Sequence, residues 1–188
     1  MKEQIKIAII TTSVRAQRVS PYVAKWMKDF TTNQNYENAK FDTIDIKDFD
    51  LPFFGVEDIL PHQQQAVDKW KSTMNSYDGY IFITAEYNHS FTGVIKNAVD
   101  FLKPELENKV AAFVGYGAVG GARAIEALRL MLAELSVACV QRNVMFFLAY
   151  DFENYSIFKP QKFHEANAKE LVNQLLSWTK ALKTIRVK

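Results

Sequence analysis

Apolar residues along this chain fall into two patterns that alternate from one end to the other. Short apolar runs rich in β-branched and aromatic side chains occupy residues 4–10, 80–84, 109–115 and 137–147. Such runs predict strands covered on both faces of a sheet. Residues 41–46, FDTIDI, alternate apolar and polar positions and predict a further strand. Between the runs, apolar residues recur at helical spacing. Val23, Trp26, Met27 and Phe30 stripe a helix that opens at Ser20-Pro21, a pair in which serine caps free amides and proline suits the first helical position. Further helices are predicted over 63–76, 94–102, 122–135 and 164–184, with Val94, Ile95, Ala98, Val99 and Leu102 sharing one face. Residues 47–61 form a long connection with two prolines.

Five strands alternating with five helices predict a parallel sheet with helices on both faces. Right-handed crossovers then favour a three-layer, flavodoxin-like α/β fold with strand order 2-1-3-4-5. No repeat, low-complexity tract or linker divides the chain, so one domain over residues 1–188 is expected.

Composition adds mainly exclusions. Hydrophobic residues make up 48% and charged residues 23%, an ordinary globular balance. A net charge of +2, from 23 basic and 21 acidic side chains, lacks the basic stripe that a nucleic-acid partner requires. Cys139 is the only cysteine, so no internal disulfide forms, and its apolar neighbours predict a small buried hydrophobe. The opening MKEQIKIAII is too short an apolar run for a leader, and no segment is long enough to span a bilayer. The expectation is a cytoplasmic protein without a membrane partner.

In an open α/β sheet, ligands bind beyond the carboxyl ends of the strands, where strand order reverses. Here that crevice lies between the first and third strands, and loops 11–20, 85–93 and 115–121 converge on it. In the first loop, TTSVRAQRVS, hydroxyls of Thr11, Thr12, Ser13 and Ser20 surround Arg15 and Arg18 just before a helix. Free amides, the helix dipole and guanidinium donors together suit a phosphate. The alternative is a solvated basic loop with a capping serine. The loop is neither a Walker A sequence nor GxGxxG, which argues against a nucleoside triphosphate or a Rossmann dinucleotide.

The third loop, GYGAVGGAR, carries four glycines in its first seven residues. Such density permits close backbone approach to a flat ligand, with Tyr116 along it and Arg123 facing it; a flexible turn is the alternative. In the middle loop, TAEYNHS, Tyr87 offers a stacking face, and Asn88 offers donors to ring carbonyls. Glu86 is either a cofactor ligand or an exposed turn carboxylate. His89 has no evident partner to fix its tautomer and is not assigned as a general base. His62, His89 and His164 are scattered without ligand spacing, so no metal site is expected.

The run EYN, then Ser90, Gly93 and KNAVDFL at 96–102, taken with GYGAVGGARA, resembles the NAD(P)H-dependent FMN reductase family of flavodoxin-like proteins. That family includes quinone, azo and chromate reductases, and the resemblance extends to about Val144. It implies that Ser13, Arg15, Arg18 and Ser20 hold the FMN phosphate. It further implies that Ala85, Glu86, Tyr87 and Asn88 pack against the isoalloxazine and ribityl groups, and that Gly115, Tyr116 and Gly117 close over the ring's far edge. LPFF at 51–54 matches a family element near the pocket mouth, with simple packing over the sheet as the alternative. NADPH or NADH is the implied co-substrate, passing hydride to the flavin. Two electrons then go to a small acceptor: a quinone, an azo compound, free flavin or a metal ion. No catalytic side chain is expected, because the cofactor carries the chemistry.

A flavodoxin-type electron carrier without nicotinamide activity is the alternative, followed by a non-flavin binding module on the same fold. Four positions depart from the family pattern: Thr12 for glycine, Ala85 and Thr92 for proline, and Gly115 for a frequent serine. In the fourth helix, Ile125, Leu128, Met131, Leu132 and Leu135 face the sheet, while Leu130 and Ala133 form a second apolar surface. With the resemblance, this implies a homodimer or dimer of dimers through the third and fourth helices. Residues 150–163, YDFENYSIFKPQKF, are aromatic and irregular; they either cover a neighbouring subunit's pocket or tie down the last helix.

Overall fold

A computed structural model describes residues 4–186. Met1, Lys2 and Glu3, which open the run read as too short for a leader, lie outside the described residues. Strands β1 (Ile5–Thr11), β2 (Ala39–Asp45), β3 (Gly79–Ala85), β4 (Val110–Gly117) and β5 (Ala138–Phe147) form one sheet in the order β2-β1-β3-β4-β5. All neighbours are parallel. Every residue of β3 and β4 is buried, which is why their apolar runs are unbroken. Edge strand β2 has only Phe41 fully buried and keeps its alternation.

Helices α1 (Ser20–Gln34) and α6 (His164–Arg186) cover one face, and α2 (Pro61–Asn75), α3 (Gly93–Asp100) and α4 (Ala122–Glu134) the other. The pleat distributes β1 accordingly: Ile7 and Ile9 join the first core, Ala8 and Ile10 the second. Trp70 of α2 is fully buried, and its indole N–H donates to the Ala98 carbonyl at 2.8 Å, joining α2 to α3.

Two element starts differ from the sequence reading. Val19, not Ser20, holds the N-cap position of α1, and no side chain caps that end. Ser20 is the first helical residue and is buried. Lys109 precedes β4 rather than opening it. Its buried ammonium donates to the Met74 and Asn75 carbonyls at the C-terminal end of α2, both at 3.0 Å. Burial pulls that ammonium down to about 8, and the charge of Arg186 adds to the effect.

The irregular segment has structure of its own: α5 (Leu148–Asp151) and a small antiparallel pair, β6 (Phe152–Glu153) and β7 (Ile157–Phe158). Buried Asp151 accepts from the Phe147 amide at 2.8 Å, the Gln161 amide at 3.1 Å and His164 Nε2 at 2.9 Å. The segment therefore ties the start of α6 to the end of β5. Among the described residues, no helix is long and apolar enough to cross a membrane.

Candidate functional site

Strand order reverses at β1, so the crevice at its carboxyl end lies between the loops that follow β1 and β3. Thr12 leaves β1 with both its amide (3.2 Å) and its hydroxyl (2.9 Å) donating to the Ile83 carbonyl of β3. Thr92 caps α3, accepting from the Ile95 amide at 3.5 Å, and its hydroxyl donates to the Thr12 carbonyl. Two of the departures from the family pattern thus bind each other and fasten the first loop to α3.

Ser13 and Ser20 are both buried, with hydroxyl oxygens 2.8 Å apart. They sit at the end of α1 that no side chain caps, where Pro21 has no N–H and the Tyr22 and Val23 amides bond the Val19 carbonyl, leaving the Ser20 amide and the helix dipole to favour an anion. Arg15 is exposed beside them, and its guanidinium lies 6.0 Å from the centre of the Tyr87 ring. The structure therefore brings Ser13, Ser20, Arg15 and Tyr87 to one crevice.

Arg18 has a different setting. Its guanidinium grips both Asp45 oxygens at 2.6 and 2.5 Å and also donates to the Ser13 carbonyl at 2.6 Å. The Asp45 hydrogen bonds raise the Arg18 pKa against the cost of burial. For Asp45, burial pushes the carboxyl up. Hydrogen bonds from Arg18, the Lys47 amide and Thr11, with the Arg18 charge, outweigh burial and leave it below the usual carboxylate value. In this arrangement Arg18 fixes the shape of the loop from behind.

In the middle loop, Tyr87 and Ser90 exchange backbone hydrogen bonds at 2.9 and 3.1 Å around Asn88 (φ 49°) and His89 (φ 68°). Two central residues at positive φ are what a tight two-residue hairpin turn needs, and asparagine tolerates it well. The turn leaves Tyr87 37% exposed. Ala85 is buried at the end of β3.

Glu86 is not the exposed turn carboxylate of one reading. Its carboxylate is only 6% exposed and accepts from Arg123 Nε at 2.6 Å, Nη2 at 2.5 Å and the Arg123 backbone amide at 3.1 Å. It therefore caps α4 and holds the third loop against the second. The same guanidinium stands 2.8 Å from His89 Nε2. An arginine can only donate, so Nε2 accepts and the His89 proton sits on Nδ1. The partner that fixes this tautomer comes from 34 residues further along the chain.

Gly115, Tyr116 and Gly117 belong to β4, the first two paired with both neighbouring strands and Gly117 with β5, and the free loop begins at Ala118. A Cβ on Gly115 would lie 2.6 Å from the Gly120 carbonyl oxygen and 2.8 Å from Ile125 Cδ1, so the loop folds back tightly on that glycine. Tyr116 is 7% exposed and points beneath the first loop, with its hydroxyl 3.3 Å from Ser13 Oγ and its ring beside Phe152. Burial raises its phenol pKa, against the pull of the Ser13 hydrogen bond. It supports the serines from below, because the pleat sends it to the α1 side of the sheet.

Sequence reasoning missed Asp45, although the expected topology contained a signal for it. A parallel pairing of β1 with β2 sets Asp45 directly opposite Thr11, beside a loop carrying two arginines.

Residues 5–151 match the family described as NADPH-dependent FMN reductase. The chain belongs to that family. Among the relatives of this FMN reductase family member is the NAD(P)H-dependent FMN reductase ntnL of Nectria sp, 36% identical over 127 residues. That alignment covers 63% of each chain, so this chain spans under two thirds of that relative's length. The NAD(P)H-dependent FMN reductase LOT6 of Saccharomyces cerevisiae is 31% identical over 145 residues, 71% of this chain and 76% of the relative. An NADPH azoreductase of Bacillus sp. is 26% identical over 144 residues, covering 75% and 76%. Among solved structures, the flavoenzyme NAD(P)H:(acceptor) oxidoreductase FerB from Paracoccus denitrificans superposes with TM-score 0.72 at 22% identity, covering 92% of this chain and 98% of that one. At that identity the likeness is one of fold.

Proposed function

We propose that this chain is an FMN-dependent NAD(P)H oxidoreductase that passes two electrons to a small acceptor. The observation that carries the proposal is the uncapped N-terminus of α1 meeting two buried serine hydroxyls and an exposed arginine. Two buried hydroxyls, the Ser20 amide at the start of α1 and an exposed guanidinium make a donor set suited to a phosphate monoester. Ser13, Ser20 and Arg15 would hold that phosphate, with Arg18 and Asp45 bracing the loop and Tyr116 beneath the serines. Tyr87 would stack on the ring, and the turn at Asn88 would present backbone amides to it. Gly117 keeps the far wall low, since a Cβ there would press on Glu86 at 3.2 Å. FMN, when bound, supplies hydride acceptance from a nicotinamide and delivery of two electrons onward.

The acceptor class follows the relatives, among them an NADPH azoreductase and quinone reductases. A quinone or azo compound is the first choice, with free flavin or a metal ion after it. A cytoplasmic homodimer belongs to the same proposal: on α4, Leu130 is 77% exposed and Ala133 is exposed beside it, an apolar strip unused within the chain.

The test is a titration of the protein, stripped of flavin, with FMN, followed by flavin fluorescence. Substituting both Ser13→Ala and Ser20→Ala should weaken binding at least about tenfold, since each hydrogen bond to a charged group contributes about 1.5–3 kcal/mol. Full affinity without the two hydroxyls, or no FMN binding by the wild type, would contradict the assignment.

A further inference from the structure

Three hydroxyls form a line from the sheet into the first loop. Tyr116 Oη lies 3.3 Å from Ser13 Oγ, which lies 2.8 Å from Ser20 Oγ. All three residues are buried, and each hydroxyl has one proton to donate. Burial raises the phenol's pKa, so Tyr116 stays protonated and able to donate. When it donates to Ser13, the serine oxygen keeps a partner while the Ser13 and Ser20 protons turn outward to an anion. Without that donor, the same rotation leaves a buried oxygen unpaired. At 3.3 Å the phenol is at the long limit for such a bond, so a small displacement of its ring breaks it.

The ring is held by the aromatic segment after β5. Phe152 is 7% exposed, and its ring centre lies 6.4 Å from that of Tyr116. Phe152 pairs across β6 and β7 with Phe158, at 5.2 Å between rings. Phe158 meets Phe146 edge-on at 4.9 Å, and Phe146 meets Trp26 of α1 at 5.1 Å. These spacings are those of favourable aromatic pairs. The stack therefore runs from Tyr116 round to the helix that begins at Ser20. A strand pair of two residues each has little stability of its own. Asp151 closes it: its carbonyl accepts from the Lys159 amide at 2.8 Å, while its carboxylate accepts from the Gln161 amide and from buried His164. Both ends of the hairpin are thus fastened to the residue directly before Phe152.

We propose that Phe152 is a positioning residue for the anion site, held by the 152–158 hairpin so that the Tyr116 phenol stays under Ser13. It strengthens the preference for a phosphorylated flavin over an unphosphorylated one, because only the phosphate meets the serine protons. The identity of the ligand rests on the FMN reading above. The coupling of Phe152 to the serines holds for any anion at that site.

The experiment titrates the full chain, stripped of flavin, with FMN and separately with riboflavin, each followed by flavin fluorescence. The wild type is compared with Phe152→Leu, Tyr116→Phe and the double variant. Tyr116→Phe removes one hydroxyl and should raise the Kd for FMN about fivefold or more, with riboflavin within about twofold. Phe152→Leu keeps an apolar side chain but frees the ring, and should raise the FMN Kd about threefold or more while sparing riboflavin. In the Tyr116→Phe background, Phe152→Leu should add less than about twofold, because its effect passes through the phenol hydroxyl. Phe158→Leu, one ring further back, should act in the same direction and stands in if Phe152→Leu does not fold.

Equal losses of FMN and riboflavin affinity in Phe152→Leu would overturn the proposal, since general loosening makes no distinction between the two. So would an unchanged FMN Kd, or effects that multiply in the double variant. If the wild type binds neither flavin, the FMN reading falls, and calorimetric titration with inorganic phosphate decides the rest. Weaker phosphate binding in Phe152→Leu, with no further loss in the double variant relative to Tyr116→Phe, would uphold the positioning role. Phosphate binding that is absent, or indifferent to Phe152, would remove it as well.

Discussion

The two arginines of the first loop sit in different environments, and replacing each with methionine should separate their roles. Arg18 and Asp45 have side chains 12% and 24% exposed and meet through two parallel hydrogen bonds. Exposed ion pairs contribute about 0.2–1 kcal/mol, whereas removing one member of a fully buried pair costs about 3–5 kcal/mol. Partial exposure places Arg18→Met between these limits, at about 2 kcal/mol, including the loss of the donor to the Ser13 carbonyl. Among the described residues Arg15 has no such ion-pair partner and it is exposed, so Arg15→Met should change stability by less than about 0.5 kcal/mol. For FMN affinity the order should reverse: Arg15→Met should lose about tenfold or more, from one charge-assisted contact to phosphate. Urea unfolding of the flavin-free proteins and FMN titration by fluorescence measure both quantities. Acid adds a second check. The folded Asp45 carboxyl takes up its proton less readily than the unfolded one, so its contribution is complete above the ordinary carboxylate pKa. It is lost as pH falls through the lower folded value, and Arg18→Met should flatten that part of the stability profile. An unchanged urea midpoint in Arg18→Met, together with loss of FMN affinity equal to that of Arg15→Met, would refute the division of roles.

Other residues carry predictions of the same kind. Gly115→Ser, which restores the family's frequent residue, should destabilise the fold by about 1–3 kcal/mol through overpacking against Gly120 and Ile125, measured by thermal unfolding. Thr92→Val removes both the α3 cap and the donor to Thr12, and should cost about 1–2 kcal/mol in urea unfolding. Lys109 sheds its proton at about 8 in the fold but near 10.5 when unfolded, so between these values the unfolded state binds more protons and stability rises with pH. The rise is up to about 3 kcal/mol and should be missing from Lys109→Met. Cys139 is only partly buried rather than fully so; that partial burial holds its thiol up at about 11 and acts in the opposite sense as pH climbs from 9, so the two proteins are compared at each pH rather than across it. His89→Ala should leave the rate of flavin reduction by NADPH within about threefold, because Arg123 keeps its hold on Glu86 and the chemistry belongs to the cofactor. Loss of hydride transfer with FMN still bound would make His89 a catalytic residue.

The layers and strand order were legible because they depend on periodicity and on the handedness of crossovers, both local or general properties. Unbroken runs such as GYIFITA are buried on two faces, and α3 shows the apolar face its spacing predicts. The gathering of serines and arginines in the first loop was legible for a similar reason: they and the helix start are adjacent in sequence. Partner choice was not. Glu86 and Arg123 are 37 residues apart, Arg18 and Asp45 are 27 apart, and nothing in either loop says which charge spends itself on the other. The inward turn of Tyr116 depended on β4 running to Gly117, and a boundary shift of two residues decides whether a tyrosine lines a pocket or supports it. The 150–163 segment was opaque because its order comes from one buried carboxylate, Asp151, that gathers the amides of Phe147 and Gln161 and a histidine from 13 residues on.

The central claim is that the crevice between β1 and β3 holds FMN and takes hydride from a nicotinamide. The most direct test is the visible absorption spectrum of the purified protein, loaded with FMN if needed, before and after adding NADPH without oxygen. The account predicts a flavin band that bleaches on addition and returns when a quinone is supplied. A flavin band that persists with both NADPH and NADH would mark an electron carrier, and no band even after reconstitution would remove the flavin from the account.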